Sequence, residues 1–289
     1  MQPARWTGVA GAAAVLALGV GLSATPHPAA TPAEAPAAAA APAAATVRLP
    51  PANGQLDYQL GGAYRPASTV AVLVRDRTAA PVAGTYGVCY VNGFQTQAQE
   101  KRWWTSKHPD LLLRTATGRL VQDPDWPGEY LLDSSTASRR RAIAGVMGTW
   151  FRGCAAKGFQ GVEADNLDSW TRSGRRLTRA HNQALATLLT QRAHAEGLAI
   201  AQKNAAELAP VGRSQLGFDF AIAEECQVYD ECGAYTATYG RQVYEVEYTD
   251  NDLAAYRTAC QERGATTSVV LRDRDLVRAG DPGYVYKHC

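Results

Sequence analysis

The chain has 289 residues, 46% of them hydrophobic and 19% charged, with a formal net charge of +2. That length and composition suit one large globular domain with a real core, and the near-neutral balance gives no support to nucleic-acid binding. Six cysteines, Cys89, Cys154, Cys226, Cys232, Cys260 and Cys289, form an even set, which in an exported chain favours disulfides over free thiols.

Residues 1–23 carry one early positive charge, Arg5, and then an apolar run rich in Ala, Val and Leu followed by small residues. This is the pattern of a secretory signal peptide, with an uncleaved N-terminal anchor as the alternative and the only expected membrane association. Residues 24–46 are almost entirely Ala, Pro and Thr, cannot bury enough apolar surface to fold, and are expected to be a disordered linker. From residue 47 to residue 289 the composition is that of a single α/β domain, expected to be secreted and monomeric.

Apolar, β-branched runs occur at 69–74, 86–91, 130–132, 161–164, 198–202, 218–223, 242–246 and 267–271. Eight runs with helical or long connections between most of them predict a (β/α)8 TIM barrel. Helices are expected over 140–157, with apolar Ile143, Val146, Met147 and Trp150, and over 178–196, with Leu185, Leu188 and Leu189. The basic cluster Arg139-Arg140-Arg141 opens the first of these as a solvated face. Residues 110–122 read as a β-hairpin inserted between the second and third barrel strands, flanked by Trp103, Trp104 and Trp126, which serve either as packing or as a sugar platform.

Most runs end in a polar group: Asp76, Asn92, Asp133, Asp165, Lys203, Glu224, Glu247 and Asp273. In a parallel barrel, ligands meet the chain at these carboxyl ends. The stretch Gly161-Val162-Glu163-Ala164-Asp165-Asn166-Leu167-Asp168 packs three acids and an amide at one strand end. Taken alone, it reads as a solvated loop that caps the next helix. A second acidic end, Phe218-Asp219-Phe220-Ala221-Ile222-Ala223-Glu224-Glu225, shifts the reading, because paired carboxylates are what acid/base chemistry on a glycosidic bond requires. Period-two alternation sets Glu163 on the side of Asp165 and Ile222 on the side of Glu224, with Lys203 on the strand between them.

Other chemistries lack their signatures: there is no Gly-x-Ser-x-Gly elbow, no phosphate loop with Lys-Ser or Lys-Thr, and no His-Glu-x-x-His helix. A zinc site is disfavoured by scattered histidines, and no metal or cofactor is expected. Sequence alone leaves the disulfide pairing open, although Cys226 and Cys232 are near enough to staple the loop after Glu224, and Cys260 with Cys289 is a second expected bridge.

A set of ordered motifs resembles glycoside hydrolase family 114, typified by endo-α-1,4-polygalactosaminidases. They are Leu56-Asp57-Tyr58-Gln59-Leu60, Val88-Cys89-Tyr90, Trp126-Pro127-Gly128-Glu129, Leu132-Asp133, Gly158 through Asp168, Gln202-Lys203-Asn204, Phe218-Asp219-Phe220, Glu224-Glu225-Cys226, Glu231-Cys232 and Glu247-Tyr248. The resemblance implies a (β/α)8 barrel with Asp165 and Glu224 as the catalytic pair. With it go Gln59, Tyr90, Asp133, Glu163, Asn166, Asp168, Lys203, Asn204, Glu225, Glu247 and Tyr248 as substrate-binding positions. Two departures bear on the substrate: Val91-Asn92-Gly93-Phe94-Gln95 stands where a small turn followed by an acid is usual, and Tyr58 where Trp is common.

The expected function is therefore a secreted hydrolase of α-1,4-linked galactosamine-containing polysaccharide. The alternatives are a glycan-binding barrel without catalysis and a glycan esterase or deacetylase. Asp165 is expected to be the nucleophile and Glu224 the general acid/base of a retaining reaction. Glu225 and Glu247 would raise the carboxyl of Glu224, and Lys203 would hold Asp165 ionised.

Overall fold

The computed structural model describes residues 47–289, so the expected signal peptide and linker lie outside the described residues. Eight parallel strands follow one another in sequence order around the sheet. They are β1 (Leu56–Gln59), β2 (Val72–Asp76), β3 (Tyr86–Asn92), β4 (Gly161–Asp165), β5 (Ala199–Lys203), β6 (Phe220–Glu224), β7 (Val243–Tyr248) and β8 (Ser268–Arg272). A ninth strand, β9 (Tyr286–His288), runs antiparallel to β8.

The barrel is nearly closed. Side chains sew the seam between β1 and β8: Leu56 N donates to Ser268 Oγ at 3.2 Å, the Arg272 guanidinium donates to Tyr58 O, and Tyr286 Oη donates to Leu56 O at 2.7 Å.

The helices are α1 (Lys101–Lys107), α2 (Ala137–Lys157), α3 (Arg179–Ala195), α4 (Ala209–Val211), α5 (Cys232–Tyr239) and α6 (Leu253–Arg263). The two long ones are delimited by local chemistry. At the start of α2 the Thr136 hydroxyl accepts from Arg139 N, and Gly158 ends the helix at φ +93°, a left-handed conformation open to glycine. Helix α3 opens with a reciprocal capping box between Thr178 and His181.

Alternation along the strands sorts the core into two layers. Inside the barrel lie Leu56, Tyr58, Val74, Val88, Ala201, Ile222, Val246 and Val270. On the outer face Val91, Val162, Ala164, Ile200 and Ala221 meet Ile143, Met147 and Phe151 of α2 and Leu185 and Leu189 of α3. Each fully buried side chain of this size contributes about 1.5 to 3 kcal/mol relative to exposure. Three disulfides are present: the expected Cys226–Cys232 and Cys260–Cys289, and Cys89–Cys154, which ties β3 to α2.

Two expectations about the strands need correction. The first barrel strand is Leu56–Gln59, whose polar Asp57 and Gln59 are buried outside the barrel and break the apolar signature. Residues 130–132 are not a barrel strand; they form isolated antiparallel bridges with Gln95, Leu112 and Gln122. Within 110–122 there is one isolated bridge, Arg114 with Leu120. The insertion, residues 93–136, leaves the end of β3 and so stands between the third and fourth barrel strands rather than the second and third, and its Gln97, Asp123, Asp125, Trp126 and Glu129 line the barrel mouth.

Candidate active site

Parallel order brings every strand's carboxyl end to one mouth, which holds a cavity of about 440 Å³. At its floor the inward side chains of three consecutive strands meet: Asp165 of β4, Lys203 of β5 and Glu224 of β6. Lys203 Nζ lies 3.1 Å from Asp165 Oδ1, 3.0 Å from Glu224 Oε2 and 3.3 Å from Glu163 Oε1. One ammonium thus serves three carboxyl groups. Burial alone would pull the Lys203 ammonium down, yet Asp165, Glu224 and Glu163 hold it well above its ordinary value.

Each carboxyl is oriented by further donors. Asp165 accepts from Tyr90 Oη at 2.8 Å and from Asn166 N at 2.7 Å. Glu224 accepts from Asn204 Nδ2 at 3.0 Å and from the Tyr248 hydroxyl, while its own N–H donates to Asn204 Oδ1 at 2.9 Å. Burial pushes the Glu224 carboxyl up, but Lys203, Tyr248 and Asn204 together hold it below the usual carboxylate range. That reverses the expected effect of its neighbours, because neither Glu225 nor Glu247 faces it. Glu163 sits one layer deeper, fully buried, bonded to Tyr58 Oη at 2.5 Å. Burial, against the pull of Lys203 and with the repulsion of Asp165, raises its carboxyl to about 7.

A second ring of ion pairs surrounds this floor. Arg172 binds Asp123 at 2.6 Å and Asp168 at 2.9 Å, and donates to Asn166 Oδ1 at 2.6 Å. Arg274 binds Glu225 at 2.7 Å and Asp250 at 2.9 Å and lies 4.0 Å over the Tyr248 ring. At the rim, Trp126 is 55% exposed and offers an aromatic face to the cavity.

Of the residues expected to bind substrate, Tyr90, Asn166, Asp168, Lys203, Asn204 and Tyr248 line the cavity with Asp165 and Glu224, and Glu163 supports them from below. Four lie elsewhere. Gln59 is on the outer face, bonded to Asp57 at 2.7 Å and Arg75 at 2.9 Å. Asp133 precedes α2 and is engaged with Arg139 and Ser135. Glu225 turns to Arg274 and Asn251. Glu247 is buried on the outer face of β7, where its Oε1 accepts from Gln227 N at 3.1 Å.

Sequence reasoning did not single out Glu129, Asp123 or Arg172. Glu129 stands in the Trp-Pro-Gly-Glu motif, and Arg172 is four residues from Asp168, so both had a sequence signal. A grouping of metal-type donors among the described residues, Cys226, Cys232 and Glu245, has both sulfurs engaged in a disulfide.

The profile of glycoside-hydrolase family GH114 matches residues 35–289. The chain belongs to that family. It is a glycoside hydrolase built on a TIM-barrel-like fold. Among solved structures, the GH114 chain is similar to Aspergillus fumigatus Ega3 in complex with galactosamine, at 23% identity and a TM-score of 0.65, over 84% of this chain and 98% of that one. It is also similar to the glycoside hydrolase domain of PelA from Pseudomonas aeruginosa, at 16% identity and a TM-score of 0.56, over 78% of this chain and 97% of that one. No curated protein matches.

Proposed function

We propose that this GH114 enzyme is a secreted hydrolase that cuts α-1,4-linked, galactosamine-containing polysaccharide internally, with Asp165 as nucleophile and Glu224 as general acid/base in a retaining reaction. The observation that carries the reading is the Lys203 bridge. Its 3.1 Å and 3.0 Å contacts mean that Asp165 Oδ1 and Glu224 Oε2 are no farther apart than the sum, about 6 Å. That favours the short separation of retaining enzymes over the wider gap that admits a water between carboxyls.

In the first step an Asp165 oxygen forms a bond to the anomeric carbon as the glycosidic C–O bond breaks, and Glu224 delivers its proton to the leaving oxygen. In the second, Glu224 takes a proton from water as the water oxygen displaces Asp165. Glu224 must gain a proton before the first step. Three carboxyl groups share one ammonium, so when a sugar excludes water from the mouth the excess negative charge favours proton uptake. The Glu224 side chain, 23% exposed against 17% for Asp165, is the more accessible recipient.

The substrate class is supported by charge: the cavity lining holds eight acids against three cations, which suits a polymer carrying free ammonium groups. The galactosamine bound by the Ega3 relative points the same way. Three disulfides fit an oxidising, extracellular destination.

One observation favours exchanged roles: Glu224 is held below the usual carboxylate range in the free enzyme, as a nucleophile would be. Azide rescue separates the two. With the proposed roles, Asp165→Gly plus azide yields a glycosyl azide of configuration opposite to the substrate, and Glu224→Ala plus azide yields the same configuration; exchanged products exchange the roles. If the purified protein releases no oligosaccharides from partly de-N-acetylated polygalactosamine, or releases acetate from it without chain shortening, the substrate and reaction are wrong.

A further inference from the structure

The charges of the cavity do not balance, and the imbalance is local. Each cation is already engaged by at least two acids: Lys203 by Asp165, Glu224 and Glu163, Arg172 by Asp123 and Asp168, and Arg274 by Glu225 and Asp250. Four lining acids have no cation partner among the described residues: Asp76, Asp125, Glu129 and Asp275. Asp125 and Asp275 are exposed at the rim, where an ion pair contributes little. Asp76 is spent on its own turn, bonded to Thr78 N at 2.8 Å and to Gln97 at 3.0 Å.

Glu129 differs from all of these. It is partly buried, and two neutral amides, Gln95 Nε2 at 2.7 Å and Asn92 Nδ2 at 3.1 Å, both grip its Oε2. No hydrogen bond from a described residue engages its Oε1. The same Asn92 accepts from Asn166 Nδ2 at 2.9 Å, and Asn166 N donates to Asp165. Asn92 and Asp165 are paired neighbours on β3 and β4, so the carboxyl is tied into the scaffold that aims Asp165.

Resting on the proposed galactosamine substrate, we propose that Glu129 receives the 2-ammonium of the sugar and sets the preference for de-N-acetylated over N-acetylated residues. The amino group is on the carbon next to the one Asp165 attacks, so a carboxyl beside the Asp165 loop is where it is met. A charged pair formed away from bulk water is far stronger than one at the rim. An N-acetyl group brings no cation to the pair and leaves a desolvated carboxyl uncompensated.

The charged groups around Glu129 are Asp165 on β4, Asp123 in the insertion and Arg172 after β4, the last already held by Asp123 and Asp168. Burial, with a further push from Asp165 and Asp123 and against the pull of Gln95 and Asn92, raises its carboxyl to about 7. An ammonium that docks on the protonated carboxyl therefore expels a proton below about pH 7, where the sugar amine is itself still charged.

The test is Glu129→Gln, which keeps the shape and an acceptor for the two amides. Initial rates are measured on a fully de-N-acetylated α-1,4-galactosamine oligomer and on its N-acetylated counterpart. The variant's kcat/KM for the amine substrate should fall about 10- to 100-fold more than for the acetylated one, the scale of a lost charged hydrogen bond. Calorimetry of the amine oligomer near pH 6, in buffers of differing ionisation enthalpy and on an Asp165→Asn background, should show proton release that disappears with Glu129→Gln. Equal losses on both substrates, or undiminished proton release, overturn the assignment of Glu129 alone. If the unaltered enzyme cleaves neither oligomer, the substrate reading falls and this inference with it.

Discussion

Replacing Lys203 by Met tests whether one ammonium holds the floor of the site together. Methionine keeps the length and apolar stem but removes the charge that lies within 3.3 Å of Glu163, Asp165 and Glu224. The Lys203 side chain is 3% exposed, so water cannot substitute. Removing one partner of a buried ion pair costs about 3 to 5 kcal/mol, because the other charge is stranded. With three carboxyls depending on the same cation, the upper part of that range applies at alkaline pH. For a domain of this size about 1 kcal/mol corresponds to roughly 2 to 4 °C, so the midpoint should drop by about 10 °C.

The loss should depend on pH in a definite direction. With Lys203 present, Glu224 is held below its unfolded value, so its contribution exists above that value and is lost as pH falls. Without Lys203, burial pushes the Glu163 and Glu224 carboxyls up, so their protonation on acidification relieves the repulsion. Thermal unfolding followed by circular dichroism at pH 5 and pH 8 should show a larger gap between the two proteins at pH 8. A gap under about 2 °C, or one equal at the two pH values, would refute the reasoning.

The disulfides should rank by the loop each closes. By chain entropy, loss of Cys89–Cys154, with 65 residues of separation, costs about 4 kcal/mol, Cys260–Cys289, with 29, about 3.5, and Cys226–Cys232, with 6, about 2. Melting temperatures of the paired Cys→Ser variants in any other order would count against that account. A second pH effect sits outside the barrel, where burial and the charges of Glu245 and Glu225, against the pull of the Gln227 N–H, push Glu247 from about 4.5 up to about 8. The folded state then binds more protons than the unfolded one, so stability falls as pH rises between those values. Urea titrations at pH 5 and pH 8 should show a smaller fall for Glu247→Gln than for the unaltered protein, and an equal fall would dispose of the idea.

Much of the barrel was legible in the sequence because its strands are buried apolar runs punctuated by polar ends. Runs near 161–164, 198–202 and 218–223 correspond to β4, β5 and β6, and alternation sets Glu163 beside Asp165 and Ile222 beside Glu224 on the inner face, as observed. What misled was polarity buried outside the barrel. In β1, Asp57 and Gln59 pair with Tyr64 and Arg75 behind the sheet, so a four-residue strand lacked an apolar run. In β7, Tyr244, Val246 and Tyr248 face inward, while Glu245 and Glu247 are buried on the outer face, Glu245 paired there with Arg263. A sequence does not tell that a buried carboxyl has its cation on the far side of the sheet. The segment 130–132 has strand-like residues because it bridges to Gln95, Leu112 and Gln122 in the insertion.

The same local device recurs at the ends of the three strands that build the floor. Asp165, Lys203 and Glu224 are each followed by a residue in the left-handed region: Asn166 at φ +66°, Asn204 at +51° and Glu225 at +57°. Such conformations are uncommon outside glycine, least so for asparagine, and cost of order 1 to 3 kcal/mol when a residue is forced into them. Their return is positional. Turning the chain at once brings Asn166 N back onto Asp165 and the Asn204 side chain onto both the carboxylate and the backbone N–H of Glu224. Glu225, turned away, becomes the anchor of Arg274, which in turn covers the ring of Tyr248, the donor to Glu224. Strain at the strand ends is thereby converted into fixed donors around the carboxyl groups, so in the proposed reaction little reorganisation would remain to be done as charge develops on the substrate.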